Sequence, residues 1–214
     1  VQTGGVGWEG CGPAEGSFSA CSFTDPDGDR DLVGLAAGDV LPGGGPELVA
    51  AARSGAFKVY SFEGGGPTTV TARRIAVPGA RLACPAAADV DGDGLLDLVA
   101  CDVATPSVVF CLQRGGTFSE PARVALGDLR TPVAIASADL DGNGRVDLAI
   151  ADSGESTSDF GGAVHVLLGS AGGFSASSLE RDVPAELRRP RPMCVAVGDL
   201  DRNGVPEIVS ADDG

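Results

Sequence analysis

Four segments of this chain repeat one another, and that repetition limits the fold more than any other feature. The clearest are Ala88-Asp-Val-Asp-Gly-Asp-Gly-Leu-Leu-Asp-Leu-Val-Ala100 and Ala138-Asp-Leu-Asp-Gly-Asn-Gly-Arg-Val-Asp-Leu-Ala-Ile150. A third runs Gly198-Asp-Leu-Asp-Arg-Asn-Gly-Val-Pro-Glu-Ile-Val-Ser210. The fourth is worn: Gly38-Asp-Val-Leu-Pro-Gly-Gly-Gly-Pro-Glu-Leu-Val-Ala50. Their leading residues, Asp39, Asp89, Asp139 and Asp199, are spaced by 50, 50 and 60 residues. A period near 50 suits one four-stranded unit and is too long for most helical-pair repeats.

Each unit reads as strands. A short apolar run precedes the acidic loop, as in Val133-Ala-Ile-Ala136 and Cys194-Val-Ala-Val197. Another follows it, as in Leu98-Val-Ala-Cys101 and Leu148-Ala-Ile-Ala151. A third comes as Phe57-Lys-Val-Tyr60, Val108-Val-Phe-Cys111 or Ala163-Val-His-Val-Leu-Leu168. A Gly-rich turn then leads to Phe118 or Phe174, and a weaker run such as Ala122-Arg-Val-Ala-Leu126 closes the unit. No stretch of ten or more residues keeps a helical period. Four short strands in series make a meander, and four meanders predict an all-β fold, a β-propeller of four-stranded antiparallel blades. The expected organisation is one domain over 1–214, with blades near 31–80, 81–130, 131–190, and 191–214 joined with 1–30.

The acidic loops carry the chemistry. Oxygen ligands at loop positions 1, 3, 5 and 9 suit a hard cation. Glycines at positions 4 and 6 allow the positive φ that wraps a chain around an ion. Position 7 can add a backbone carbonyl. The second copy then offers Asp89, Asp91, Asp93 and Asp97 with the Leu95 carbonyl. The third offers Asp139, Asp141, Asn143 and Asp147 with that of Arg145. The last offers Asp199, Asp201, Asn203 and Glu207 with that of Val205, although Arg202 stands where glycine is preferred. An EF-hand starts in the same way, but it needs an acid at position 12 and flanking helices. Position 12 here is Ala100, Ile150 or Ser210. Solvated Asp-Gly turns without an ion are the competing reading. Clustered carboxylates without a cation repel, so about three Ca2+ ions are expected. The worn copy keeps only Asp39 and Glu47 and is expected to hold none. The acidic run Asp25-Pro-Asp-Gly-Asp-Arg-Asp31 is read as a solvated connection.

The pattern D-x-D-G-[DN]-G-x-x-D-[LI], a preceding Val-Ala-x-[AG] and a later Gly-x-Phe resemble the FG-GAP/VCBS repeats of integrin-α-like propellers. The resemblance spans nearly the whole chain, with three good copies in four. It implies a calcium-binding propeller and leaves the biological role open, because such propellers serve many functions.

The two ends suggest how a ring closes. The chain stops just after the second strand of its last unit. Residues 1–8, 15–19 and 20–23 resemble third and fourth strands, with Phe18 in the place of Phe118 and Phe174. The expectation is therefore four blades, one of them shared between the two ends. The strands before the loops present Gly34/Ala36/Gly38, Cys84/Ala86/Ala88, Ala134/Ala136/Ala138 and Cys194/Ala196/Gly198 on one face. Such small residues let strands crowd around an axis. An opening at Val1 without methionine is taken as a processed chain or a fragment. Six cysteines fit an oxidising compartment better than buried thiols. Cys101 with Cys111, and Cys11 with Cys21, flank two hairpins and are expected to pair. Cys84 and Cys194 are left over, in equivalent places of two blades.

Composition narrows the function. Fifteen basic against thirty acidic residues give a net charge of −15. That excludes a nucleic-acid binder, which needs basic surface for phosphates, and argues against anionic lipid. No apolar run approaches the roughly 20 residues of a membrane span. Arginine outnumbers lysine fourteen to one, Lys58 standing alone. His165 lies in an apolar strand and reads as packed, not as a base. No nucleophile elbow, zinc motif or phosphate loop occurs. Asp102, Asp152 and Asp212 recur at equivalent places and read as loop caps. The insertion over 152–160 and the segment Arg188-Arg-Pro-Arg191 lie on the face opposite the acidic loops, where a partner would bind. The resulting expectation is a secreted, calcium-binding, non-catalytic propeller with a structural, assembly or adhesive role. Its partner would be a protein or glycan on the extracellular side, or further copies in an oligomer or filament through shared strands. The alternative is a carbohydrate-binding or polysaccharide-cleaving module. Aromatic residues at 5% are few for sugar stacking.

Overall fold

A computed structural model of the chain describes residues 6–11, 18–23, 25, 27–28, 30–43, 45–63, 69–154, 161–179 and 191–213. Within these residues every regular element is a strand. They are β1 (Val6–Cys11), β2 (Phe18–Phe23), β3 (Leu32–Gly38), β4 (Glu47–Ala52), β5 (Ala56–Glu63) and β6 (Thr69–Ala76). The second unit holds β7 (Leu82–Ala88), β8 (Asp97–Asp102), β9 (Ser107–Cys111), β10 (Gln113–Arg114), β11 (Thr117–Phe118) and β12 (Ala122–Ala125). The rest are β13 (Pro132–Ala138), β14 (Asp147–Asp152), β15 (Ala163–Ser170), β16 (Gly173–Leu179), β17 (Pro192–Gly198) and β18 (Glu207–Asp212).

Three four-stranded antiparallel sheets follow in series: β3-β4-β5-β6, β7-β8-β9-β12 and β13-β14-β15-β16. The start of each inner strand is irregular in the same way, with register shifts between Leu32/Leu35, Ala83/Ala86, Pro132/Ala134 and Pro192/Cys194. One bond closes each inner hairpin at that end: the N–H groups of Arg53, Val103, Ser153 and Asp213 donate to the carbonyls of Asp31, Arg81, Thr131 and Arg191. The unit is thus a meander repeated with its hydrogen-bond details. The β1–β2 and β17–β18 pairs are separate two-stranded sheets.

The first strands pack side by side, β3 on β7, β7 on β13 and β13 on β17. Small residues permit this. A Cβ on Gly34 would lie 2.5 Å from Cδ of Pro85, and one on Gly38 would lie 2.8 Å from Leu96. The cores lie between sheets. Val49, Ala51, Phe57 and Val59 face Leu98, Ala100, Val109 and Cys111. On the other side of the second sheet, Val99, Cys101, Val108 and Phe110 meet Leu148, Ile150 and Leu167. A middle strand buried on both faces has no polar side, which is why Leu98-Val-Ala-Cys101 reads as an unbroken apolar run.

Two expectations are corrected. The blade shared between the ends is not formed, because β17–β18 remains two-stranded and β1 pairs only with β2 among the described residues. No packing comparable to the other inner contacts brings β17 back to β3, so the arc is open. A hairpin such as β1–β2 satisfies its own backbone groups locally, without reaching the far end of the chain. Nor does Cys101 pair with Cys111. Cys101 stands opposite Val108 and Cys111 opposite Leu98, so the thiols enter different cores on opposite faces of the sheet. The same offset places Cys11 opposite Phe18 and Cys21 opposite Trp8, while the side chains of residues 1–24 lie outside the description. Residues 155–160 and Arg188 to Pro190 also lie outside it.

Candidate metal centre

Each acidic loop joins the first two strands of a unit, and its leading aspartate builds it. Asp89 accepts from the N–H groups of Gly92 (2.8 Å), Asp93 (3.0 Å) and Gly94 (2.8 Å). Asp139 accepts from Asn143 and Gly144, and Asp199 from Asn203 and Gly204. The loop folds back because Gly92 and Gly94 take φ of 78° and 85°. In the last loop Arg202 adopts φ of 63°, so the non-glycine follows the same path in a conformation that disfavours a side chain.

The ninth residue anchors the loop to the sheet. Asp97 accepts from Val90 N–H at 2.9 Å with one oxygen and from Gln113 N–H at 2.7 Å with the other. Asp147 does the same with Leu140 (2.6 Å) and Gly169 (2.6 Å). Glu207 holds Leu200 N–H, and in the worn copy Glu47 holds those of Val40 and Leu41. The anchor therefore persists in all four loops, including the one that has lost Asp at positions 3 and 5.

Three of these loops bring carboxylates together. Ligand oxygens of Asp89, Asp91 and Asp97 lie within 4.8 Å of one another, as do those of Asp139, Asp141 and Asp147, and of Asp199, Asp201 and Glu207. Each cluster could hold a metal ion. The second loop fits a cation best, because a buried oxygen of Asp91, Oδ1, has no hydrogen-bond partner. Asp97 is pushed up to about 6 by burial, against its two N–H donors, with Asp91 and Asp93 adding repulsion. A cation there would answer both strains at once.

The fifth-position side chains are turned to local donors. Asp93 accepts from Leu95 N–H and pairs with Arg114 at 2.8 Å, and Arg114 also pairs with Asp91. Asn143 accepts from Arg145 N–H and donates to the Gly169 carbonyl. Asn203 accepts from Val205 N–H and donates to Asp201. Adjacent loops also touch, since Arg145 donates to the Asp91 carbonyl at 3.2 Å. Arg114 belongs to the β10–β11 turn, so the Gly-x-Phe turn of that sheet and the acidic loop share one side of the molecule.

The recurrent aspartates at the other side act as caps. Asp102 accepts from the N–H groups of Arg81, Ala104 and Thr105 and pairs with Arg123. Asp152 accepts from Arg130, Thr131 and Gly154. Burial would raise Asp152, but His165 at 3.4 Å and these donors hold it below the usual carboxylate range. His165 is buried against Asp152 and Asp128. A cleft of about 330 Å³ lined in part by Arg53, Arg81 and Arg130 lies at this side.

Lys58 occupies in β5 the place of His165 in β15, opposite Ala50 as His165 is opposite Ile150. It is wholly buried and pairs with Asp27 and, at 3.6 Å, with Asp25, itself only 3% exposed. The acidic run at 25–31 is therefore no mere solvated connection, because a buried ammonium requires its carboxylates. A lone lysine inside Phe57-Lys-Val-Tyr60 was the signal for it.

Residues 44–100 match the profile described as an FG-GAP-like repeat. This segment is similar to an FG-GAP-like repeat. It runs from the worn loop through the second acidic loop, and so contains the Asp89–Asp97 cluster. No curated protein sequence matches the chain. Among solved structures, the NanB sialidase from Streptococcus pneumoniae aligns with a TM-score of 0.52 and 13% identity over 81% of this chain. A point mutant of that enzyme aligns with a TM-score of 0.52 and 16% identity over 81% of the chain. This chain spans 27% of the length of each. At that identity the likeness concerns the fold alone: sheets arranged as in a β-propeller.

Proposed function

We propose that this chain is a calcium-stabilised β-propeller module of an extracellular or cell-surface protein, with a structural, assembly or adhesive role and no catalytic one. The observation that carries the reading is the recurrence of one carboxylate cluster at the same place in three successive units. The residues that would hold the ions are Asp89, Asp91 and Asp97, then Asp139, Asp141 and Asp147, then Asp199, Asp201 and Glu207. Asp93, Asn143 and Asn203 would join them by releasing their present local partners, and Leu95, Arg145 and Val205 would add carbonyls. Oxygen-only donors in a flexible loop favour Ca2+ over the smaller, more demanding Mg2+. The FG-GAP-like repeat supports the same choice.

A protein or glycan partner would meet the side opposite the acidic loops, where Arg53, Arg81 and Arg130 offer positive charge on an acidic molecule. Among the described residues no helix is long and apolar enough to cross a membrane. Calorimetric titration tests the reading. Calcium should bind at about three sites per chain with Kd on the order of 10⁻⁴ to 10⁻³ M, and raise the melting temperature. Equal melting in calcium and in chelator would overturn it.

A further inference from the structure

We propose that Cys84 and Cys101 are a disulfide-forming pair that staples β7 to β8 beneath the second acidic loop. In a regular ladder they would not meet. Ala83, not Cys84, stands opposite Cys101, and successive side chains point to opposite faces of a strand. The irregularity between Ala83 and Ala86 changes this. Cys84 takes φ of 39°, left-handed and unusual for a residue with a Cβ. Its side chain thereby enters the core that already holds Cys101, so both buried thiols lie in one cluster. Among the other cysteines whose side chains are described, Cys111 lies in the core on the far face of the sheet and Cys194 is exposed on β17.

The thiol environment sets when the bond forms. The neighbouring Cys84 thiol, then burial, then Asp152 and Asp102 push the Cys101 thiol up and hold it protonated. A protonated thiol is a poor nucleophile, and Cys101 is fully buried. Closure therefore belongs to the folding chain, in a compartment that supplies a small disulfide oxidant such as oxidised glutathione. The Cys84 thiolate attacks one glutathione sulfur, forming a mixed disulfide and expelling one glutathione thiolate. The Cys101 thiolate then attacks the Cys84 sulfur and expels the second. The two protons lost by the cysteines end on two reduced glutathione molecules. The protein pair is oxidised by two electrons, and one glutathione disulfide is reduced. The closed loop contains all of Asp89 to Asp97, so the bond fixes both strands from which that loop springs.

Peptide mapping decides the pairing. The full chain is refolded with oxidised and reduced glutathione, alkylated, and cut before aspartate without reduction. Cys84, Cys101 and Cys111 then fall in separate fragments, 39–88, 97–101 and 102–127. Fragments 39–88 and 97–101 should be joined, with Cys111 alkylated. The oxidised protein should melt roughly 5–10 °C above the reduced one. Cys111→Ser should keep the cross-link, and Cys84→Ser should lose it together with most of that difference. Recovery of Cys84 and Cys101 as separate alkylated residues, a glutathione adduct persisting on Cys84, or a bond from Cys84 to another cysteine would each overturn the pairing. Because the mapping is done on the unsubstituted chain, it stands even if Cys84→Ser fails to fold. It needs no calcium, so its outcome is separate from that of the metal titration.

Discussion

At the residue scale, the third and ninth loop positions do different work. Asp91 carries a buried oxygen with no partner, so its value lies in a cation. Asp91→Ala should remove one calcium from the titration and barely change the metal-free stability. Asp97 holds two backbone donors whether or not an ion is present. Asp97→Ala should cost about 2–4 kcal/mol in urea unfolding even in chelator, because buried N–H groups lose their acceptor. Glu47→Ala should also destabilise while leaving ion stoichiometry unchanged, and Asp39→Ala should likewise remove no ion. The raised Asp97 sets a pH dependence. Its folded form, near 6, binds a proton that the unfolded form, near 3.8, has released. Between these values the folded state holds more protons, so metal-free stability falls as pH rises from about 4 to about 6. Melting in chelator should show that fall, and Asp97→Asn should flatten it. Saturating calcium should oppose it, since the ion favours the ionised carboxylate.

At the scale of the strand, the small residues of β3 are a packing requirement and those of β17 are not. A Cβ on Gly34 meets the rigid ring of Pro85 at 2.5 Å, whereas on Gly38 it meets the movable end of Leu96 at 2.8 Å. On Gly198, the counterpart of Gly38, it meets nothing. Gly34→Ala should therefore cost about 1–3 kcal/mol, Gly38→Ala less, and Gly198→Ala close to nothing in chemical denaturation. The strands themselves were legible, because a run such as Leu148-Ala-Ile-Ala151 buried on both faces can hold no polar residue. Which cysteines meet was not. The pairing of Cys101 with Cys111 assumes that hairpin flanks face each other, and the actual register offsets them by three residues. Nothing in Ala83-Cys84-Pro85 states that the chain will turn left-handed there.

For the whole molecule, the open arc leaves apolar surface at one end. On or beside β17 and β18, Met193, Leu200 and Val209 are 46%, 68% and 47% exposed, whereas Val49, Val99 and Ala149, the counterparts of Val209 in the earlier sheets, are buried. An edge of this kind invites pairing with another chain. Sedimentation velocity should show concentration-dependent association that Val209→Lys weakens, and a strictly monomeric chain at high concentration would contradict it. Deleting residues 1–24 should leave the melting temperature of the remaining sheets unchanged within about 2 °C, since β1 and β2 pair with each other.

The sequence by itself determined the unit and its number of acidic loops. Both are local: a strand–loop–strand pattern, its turn glycines and its carboxylates lie within some fifteen consecutive residues, so spacing alone displays them. The caps at Asp102 and Asp152 were readable because aspartate recurs at equivalent places, although their Arg81 and Arg130 donors lie more than twenty residues away. Tertiary structure decided what depends on residues far apart. It buried Lys58 against Asp25 and Asp27, across more than thirty residues. It gave Asp97 its second donor from Gln113, and it set Cys84 against Cys101 through a bulge. It also left the arc open, because ring closure depends on the angle at which each sheet packs on the next. That angle is the sum of many side-chain contacts between sheets, and no single repeat records it.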